Sequence, residues 1–424
     1  MPRIAGIIVN LVPYHHARWE AFSRLSGNET HLVALTDRDP FRALEFSSSS
    51  SYFKHTLFPH KEGNEFSADS MRKRMFSILD GIRPDVVCVS GWGIAVSLVA
   101  MIWAITRGVP LVMLSESNEF DESRSFLKEY LKRRIVSLCG AGLAGGAPQA
   151  HYLVKLGIPG ECVFQGYDVV DNGFFRKNAK EIRDSGLLIK DAEGRTVSSP
   201  YFLACARFGK KKNLPGLIRS YALYRQMVGS SGNGCESTVG HAKCRVERGR
   251  AVTSVFDLVI VGEGEERGSI ENAIREARVG DHVHLVGTKG YTELPAYYAN
   301  AGAFIHASTT EQWGLVVNEA MASGLPVLVS NRCGCAMDLV KEDLNGWTFD
   351  PNDLTQLAQF MVKMSTDEER RLEMGRASPG IISEWDTDRF FSGLSAAVDV
   401  TLAKPKRAYH LFDGLILRLL SRHA

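Results

Sequence analysis

Apolar residues along this chain fall into short, nearly unbroken runs, separated by stretches in which they recur every three or four positions. The runs predict strands over residues 4–10, 31–36, 86–90 and 111–115, and again over 201–206, 258–261, 282–286, 303–306 and 326–329. Helical spacing fills the intervals, notably 124–137, 149–156, 215–227, 265–277 and 294–301. Strands that are apolar throughout are buried on both faces, and their alternation with helices predicts an α/β chain with doubly wound parallel sheets. Residues 178–199 are polar, charge-rich and poor in aromatics, and this places a boundary between a first domain, 1–185, and a second, 195–387, with a helical tail over 388–424. Two Rossmann-like halves follow, with ligands expected where the carboxyl ends of strands meet a cleft.

Two segments resemble membrane elements. Residues 1–12 end at Val12-Pro13 without a small-residue cleavage site and read as a first buried strand. Residues 86–106 carry no charge, but Gly91-Trp92-Gly93 interrupts them and Gly108-Val109-Pro110 opens a further apolar run, which gives strand, helix and strand. Fifty Lys and Arg against 48 Asp and Glu leave a net charge of +2, so no global field recruits nucleic acid and any anion site must be local. The eight cysteines are scattered, and the Cys333-Gly-Cys335 pair has no second pair at zinc-finger spacing, as expected for reduced thiols in the cytoplasm.

Candidate chemistry concentrates after the strand that ends at His306. A loop carries Glu311, and Gly314 opens a helix that closes at Gly324 and holds Glu319. The first amides of a helix, here around Trp313, Gly314, Leu315 and Val316, have no helical acceptor and face an aligned dipole, so they can hold a phosphate oxygen. Carboxylates on either side can accept hydrogen bonds from sugar hydroxyls. The same pattern also describes a helix with an acidic start and one solvated Glu. Lys210, Lys211 and Lys212 likewise describe either a solvated basic turn or, with Arg207, an anion clamp.

The spacing of Glu311 and Glu319 resembles the Glu-x7-Glu motif of the retaining GT-B glycosyltransferases of family 4. Ala206-Arg207, Lys212-Asn213, Val261-Gly262-Glu263-Gly264, Leu285-Val286-Gly287, Leu294-Pro295 and Asn345-Gly346-Trp347 fall in that family's order across the second domain. The resemblance implies a GT-B fold and transfer of a hexose from a nucleotide-diphosphate sugar, UDP favoured over GDP or ADP, to a glycan or lipid-linked acceptor. It assigns the transferred sugar to Glu311, the ribose to Glu319, the diphosphate to Arg207 and Lys212, and the base to the backbone at Gly287, Thr288 and Lys289. It implies front-face retention through an oxocarbenium-like transition state with no protein nucleophile. No cofactor or metal is expected, and Asp37-Arg38-Asp39 and Asp386-Thr387-Asp388 read as structural.

The first domain departs from the family at Ser115-Glu116-Ser117-Asn118, where many relatives carry a His. Glu116 is the candidate acceptor-side group, with a helix cap by Ser117 or Asn118 as the plainer reading. Tyr14, His15, His16, Arg18 and Trp92 occupy neighbouring strand-to-helix turns. The tail beyond residue 403, basic and then apolar on one side, suits either shallow contact with the cytoplasmic face of a membrane or docking on the protein's own surface. A sugar epimerase or phosphorylase, and a non-catalytic scaffold, are the alternatives to transfer.

Overall fold

The computed structural model describes residues 1–37, 50–59, 66–122, 124–191, 194–231, 255–404 and 411–421. The chain forms two compact units, Met1–Asp171 with Glu384–Ala424, and Asn172–Ser383.

The first unit is built on a seven-stranded parallel sheet in the order β3-β2-β1-β4-β5-β6-β7. Its strands are β1 (Arg3–Asn10), β2 (Glu29–Thr36), β3 (Phe53–Thr56), β4 (Val86–Ser90), β5 (Leu111–Ser115), β6 (Ala141–Ala144) and β7 (Val163–Gln165). The Pro13–Ser26 helix starts with Pro at its first position and stops at left-handed Gly27, φ 66°. Its Trp19 lies against Gly6 so closely that a Cβ there would meet the indole at 2.3 Å.

The uncharged segment after β4 becomes the Ala95–Arg107 helix, whose residues 96–104 are all buried. The Leu411–Leu420 helix covers its outer side, burying Ile416 and Leu417, and Asp413 ion-pairs with Arg134. Of the two readings of the tail, this helix therefore takes the one in which it docks on the protein. Among the described residues no helix is long and apolar enough to cross a membrane.

The second unit carries a six-stranded parallel sheet in the order β10-β9-β8-β11-β12-β13. Its strands are β8 (Tyr201–Cys205), β9 (Leu258–Val261), β10 (Val283–Leu285), β11 (Ala301–His306), β12 (Val327–Ser330) and β13 (Gly346–Phe349). Phe202, Phe208, Leu217, Tyr221, Ile260 and Met361 lie in its core.

The break between units differs from the boundary expected over 178–199. The Asn172–Ser185 helix belongs wholly to the second unit because Phe175 and Ala179 are fully buried there, Phe175 edge-on to Tyr298 at 5.8 Å. The return to the first unit comes at Glu384, ahead of the expected residue 388. The Thr387–Ala403 helix then packs on the Pro13–Ser26 helix and beside β6 and β7, with Phe390 edge-on to Trp19 at 5.7 Å. Between the Leu214–Ser231 helix and β9, the Gly-, Ser- and charge-rich stretch 229–254, which reads as a surface insertion, lies largely outside the described residues.

Candidate functional site

The carboxyl ends of β8 and β11 bring the second unit's candidate groups together. After β8 the chain turns through Arg207 and a short 3-10 turn, Lys210–Lys212, which closes on left-handed Asn213, φ 52°. Two glycines let the loop after β9 lie against this turn. A Cβ on Gly262, φ 140°, would sit 1.9 Å from the Ala206 carbonyl oxygen, and one on Gly264 would sit 2.7 Å from that of Phe208. The loop after β11 is tied to the same turn by the Thr309 amide, which donates to the Lys211 carbonyl at 2.9 Å. Its far side pairs with 332–334, where Gly334 N–H donates to Glu311 O at 3.0 Å.

Glu311 is the hub. Its side chain is only 11% exposed, Lys212 ion-pairs with Oε2, and Lys211 Nζ lies 3.8 Å from Oε1. Ser308 Oγ and His306 Nε2 each lie 3.4 Å from Oε2. Burial alone would raise the carboxyl's pKa, but the hydrogen bond from His306 and the Lys212 charge outweigh it and hold the group far below the usual carboxylate range. Glu311 is therefore an obligate acceptor at neutral pH. His306 is buried, and desolvation pulls its pKa down against the opposing pull of Glu311, so the imidazole is neutral at pH 7.

Gly314, φ 107°, caps the Leu315–Ala322 helix in the left-handed region, and a Cβ there would approach His306 Nε2 to 3.3 Å. The amides of Leu315 and Val316 open this helix, both residues are partly exposed, and Trp313 is buried with its indole N–H on Asn318 Oδ1 at 2.9 Å. Glu319 is not a solvated helix residue. It is 1% exposed and accepts a 2.7 Å hydrogen bond from the Tyr298 hydroxyl. Arg207, which is exposed, reaches Glu265 at 3.4 Å. Gly287, φ 74°, gives its carbonyl to Gly262 N–H at 3.0 Å, Thr288 is exposed, and Lys289 lies over the Tyr297 ring at 5.6 Å.

In the first unit Glu116 follows β5, half-buried, and its charge adds to the burial that raises the Tyr167 pKa. The cap expected of Ser117 or Asn118 is supplied instead by Ser125, which accepts from Lys128 N–H at the start of the Phe126–Val136 helix. Asn118 closes a local turn, accepting from Phe120 N–H at 2.8 Å. His15 Nδ1 lies 2.8 Å from Asn10 O and His16 Nδ1 2.8 Å from the Tyr52 hydroxyl. Arg18 is fully buried between the Tyr14 and Tyr167 rings, 3.5 Å from Asp168, and Trp92 is buried edge-on to Tyr152. These two are core residues. Asp386 caps the Thr387–Ala403 helix through Thr387 N–H at 2.7 Å, and Asp39 lies outside the described residues.

His306 is the partner that sequence reasoning missed. Its signal was a lone ring nitrogen ending an apolar strand five positions before Glu311.

Residues 188–380 match the family model of glycosyl transferases group 1. Over 140 residues the chain is 31% identical to the GDP-mannose-dependent alpha-(1-6)-phosphatidylinositol monomannoside mannosyltransferase of Mycobacterium tuberculosis (strain CDC 1551 / Oshkosh), covering 31% of this chain and 36% of that protein. Over 224 residues it is 30% identical to the amylovoran biosynthesis glycosyltransferase AmsK of Erwinia amylovora, covering 51% of this chain and 46% of that one. The chain thus spans less than half the length of either relative. The crystal structure of Anabaena HepE in complex with UDP and glucose superposes with a TM-score of 0.67 at 14% identity, over 94% of this chain and all of the other. The two parallel sheets are those of the GT-B fold.

Proposed function

We propose, for a chain whose residues 188–380 match the glycosyl transferases group 1 model, that the protein transfers a hexose from a nucleotide-diphosphate sugar to a polysaccharide or glycolipid acceptor with retention of anomeric configuration. The observation that carries this reading is the Glu311 hub, a buried carboxylate kept ionised by Lys212 beside the open start of a helix. Lys212 and Arg207 neutralise charge that builds on the departing diphosphate, and the Leu315 and Val316 amides donate to its oxygens. Glu311, unable to donate, takes hydrogen bonds from the sugar's hydroxyls. Glu319 faces the ribose only if its second oxygen is reached from the ligand, since Tyr298 holds the first.

No protein nucleophile is needed where the leaving phosphate accepts the acceptor's proton, and no metal is needed where two cations carry the diphosphate. Glu116 orients the acceptor hydroxyl. A lipid-linked acceptor is supported by the first unit's exposed Phe120, Phe126, Leu127 and Tyr130, which lie among Lys128, Lys132 and Arg133. The names of the relatives support GDP-mannose as a donor beside the UDP of the structural neighbour, so both belong in the test.

Initial rates with UDP-, GDP- and ADP-sugars, and NMR of the product anomer, test the reading. Transfer with retention, lost in Lys212→Ala, is the expected result. Epimerised donor, phosphate-dependent glycan breakdown, or a silent panel without nucleotide binding would replace it with the epimerase, phosphorylase or scaffold readings.

A further inference from the structure

The second unit has another concavity, at the opposite ends of its strands. It lies between the Asn172–Ser185 and Glu368–Ile382 helices, ahead of β11 and β12, and encloses about 570 Å³. That volume suits a small ligand. Ala301, Gly302 and the turn 323–326 line it, with Arg176, Lys180 and Arg183 along one helix and Arg371 and Arg376 on the other. Asp184 is the one acidic residue in that lining, so five cations less one carboxylate leave a local charge of +4 in a chain whose total is +2.

Three of the cations are already committed. Arg371 donates to Met364 O at 3.0 Å and reaches Glu368 at 3.3 Å; Arg183 donates to the Ala179 and Ser323 carbonyls; Lys180 pairs with Asp184 at 3.2 Å. Arg176 and Arg376 have no hydrogen bond or ion pair among the described residues. Ser323, in the same lining, is 1% exposed, and its hydroxyl has no hydrogen-bond partner among the described residues. A buried hydroxyl left unpaired costs about 1–3 kcal/mol, and a guanidinium fork matches the oxygens of a phosphate two at a time.

We propose that this cavity is a second anion site, separate from the donor site, which takes a phosphate-bearing ligand: a diphosphate or phosphomonoester held by Arg176 and Arg376 with Ser323 Oγ donating to it. The site is also connected to the first. The Leu315–Ala322 helix begins at the Glu311 hub and ends at Ser323, and its eight residues span about 12 Å.

The test uses pyrophosphate titrated calorimetrically into the full chain carrying Arg207→Ala and Lys212→Ala, which silence the donor side. One binding event should remain. Arg176→Ala with Arg376→Ala on that background should weaken it about tenfold or more, and Ser323→Ala severalfold, with circular dichroism unchanged. Heat that vanishes with the donor-side variants alone, or that survives Arg176→Ala with Arg376→Ala, overturns the proposal. Sedimentation with vesicles of equimolar phosphatidylcholine and phosphatidylglycerol identifies the source: co-sedimentation lost in the double variant assigns the phosphate to a lipid headgroup, and its absence beside pyrophosphate binding assigns a soluble ligand. Failure of the donor reading would show separately, as UDP binding unaffected by Lys212→Ala.

Discussion

His306 Nε2 lies 3.4 Å from Glu311 Oε2, the same oxygen that receives the Lys212 ammonium. A neutral donor and a cation thus converge on one carboxylate oxygen, inside a unit where Glu311 is nearly excluded from water. Removing either partner leaves a buried charge under-compensated, which costs more than a surface ion pair contributes.

Lys212→Ala and Arg207→Ala should each lower transfer by about a hundredfold or more, as for the loss of a charge-stabilising group aimed at a leaving oxyanion. Lys212→Ala combined with Glu311→Ala should fall short of the product of the two single effects, because the pair acts as a unit. Initial rates at saturating acceptor measure both. Additive losses would separate Lys212 from Glu311.

Stability should fall as pH drops below neutrality. His306 has a folded pKa beneath its ordinary 6.5, so the unfolded chain binds its proton first, and stability declines as pH falls through about 6.5 and below. Glu311, depressed from 4.5, adds a loss that begins below about that value. Half-buried His16 and His55, lowered by partial desolvation, act in the same direction, whereas His284, raised by its hydrogen bond to Asp257, acts in the opposite one. Melting temperature followed from pH 7 to pH 4 should therefore drop less steeply in His306→Asn than in the parent. An unchanged slope would remove His306 from the account.

Tyr298→Phe removes the hydroxyl that donates to Glu319 at 2.7 Å and leaves a buried carboxylate oxygen short of a partner. The expected loss is about 1–3 kcal/mol in urea unfolding at constant m-value. Nucleotide affinity measured on the same variant reports whether Glu319 also serves the ribose.

Gly262→Ala should destabilise by about 3 kcal/mol or more, since its Cβ would overlap the Ala206 carbonyl and φ 140° is strained for any other residue. Gly268→Ala offers the contrast. Nothing lies within 4 Å of its Cβ position and the residue is helical, so a gain of about 0.5–1 kcal/mol is expected.

Much of this arrangement was legible in the sequence. The unbroken apolar runs marked the central strands, and ordered motifs from Arg207 to Trp347 pointed to the face where Glu311, Lys212 and Gly314 meet. Three things were not legible. Short β3 and β13, Phe53-Lys54-His55-Thr56 and Gly346-Trp347-Thr348-Phe349, mix polar or Gly positions among their apolar ones, so no apolar run registers as it does in the equally short β9. The charged Asn172–Ser185 helix looked like linker because its affiliation rests on two buried positions, Phe175 and Ala179. The accessibility of Glu319 and the pairing of His306 depend on which side of an element faces inward, and their spacing along the chain says nothing of that.

The division of the chain also bears on its synthesis. Residues 172–383 are contiguous and can complete their core while translation continues, whereas the earlier sheet must wait for Phe390 and Leu394 to emerge before the surface around Trp19 is covered. A nascent chain halted near residue 383 would hold a finished half beside one with a bare apolar flank, a form open to chaperones and proteases.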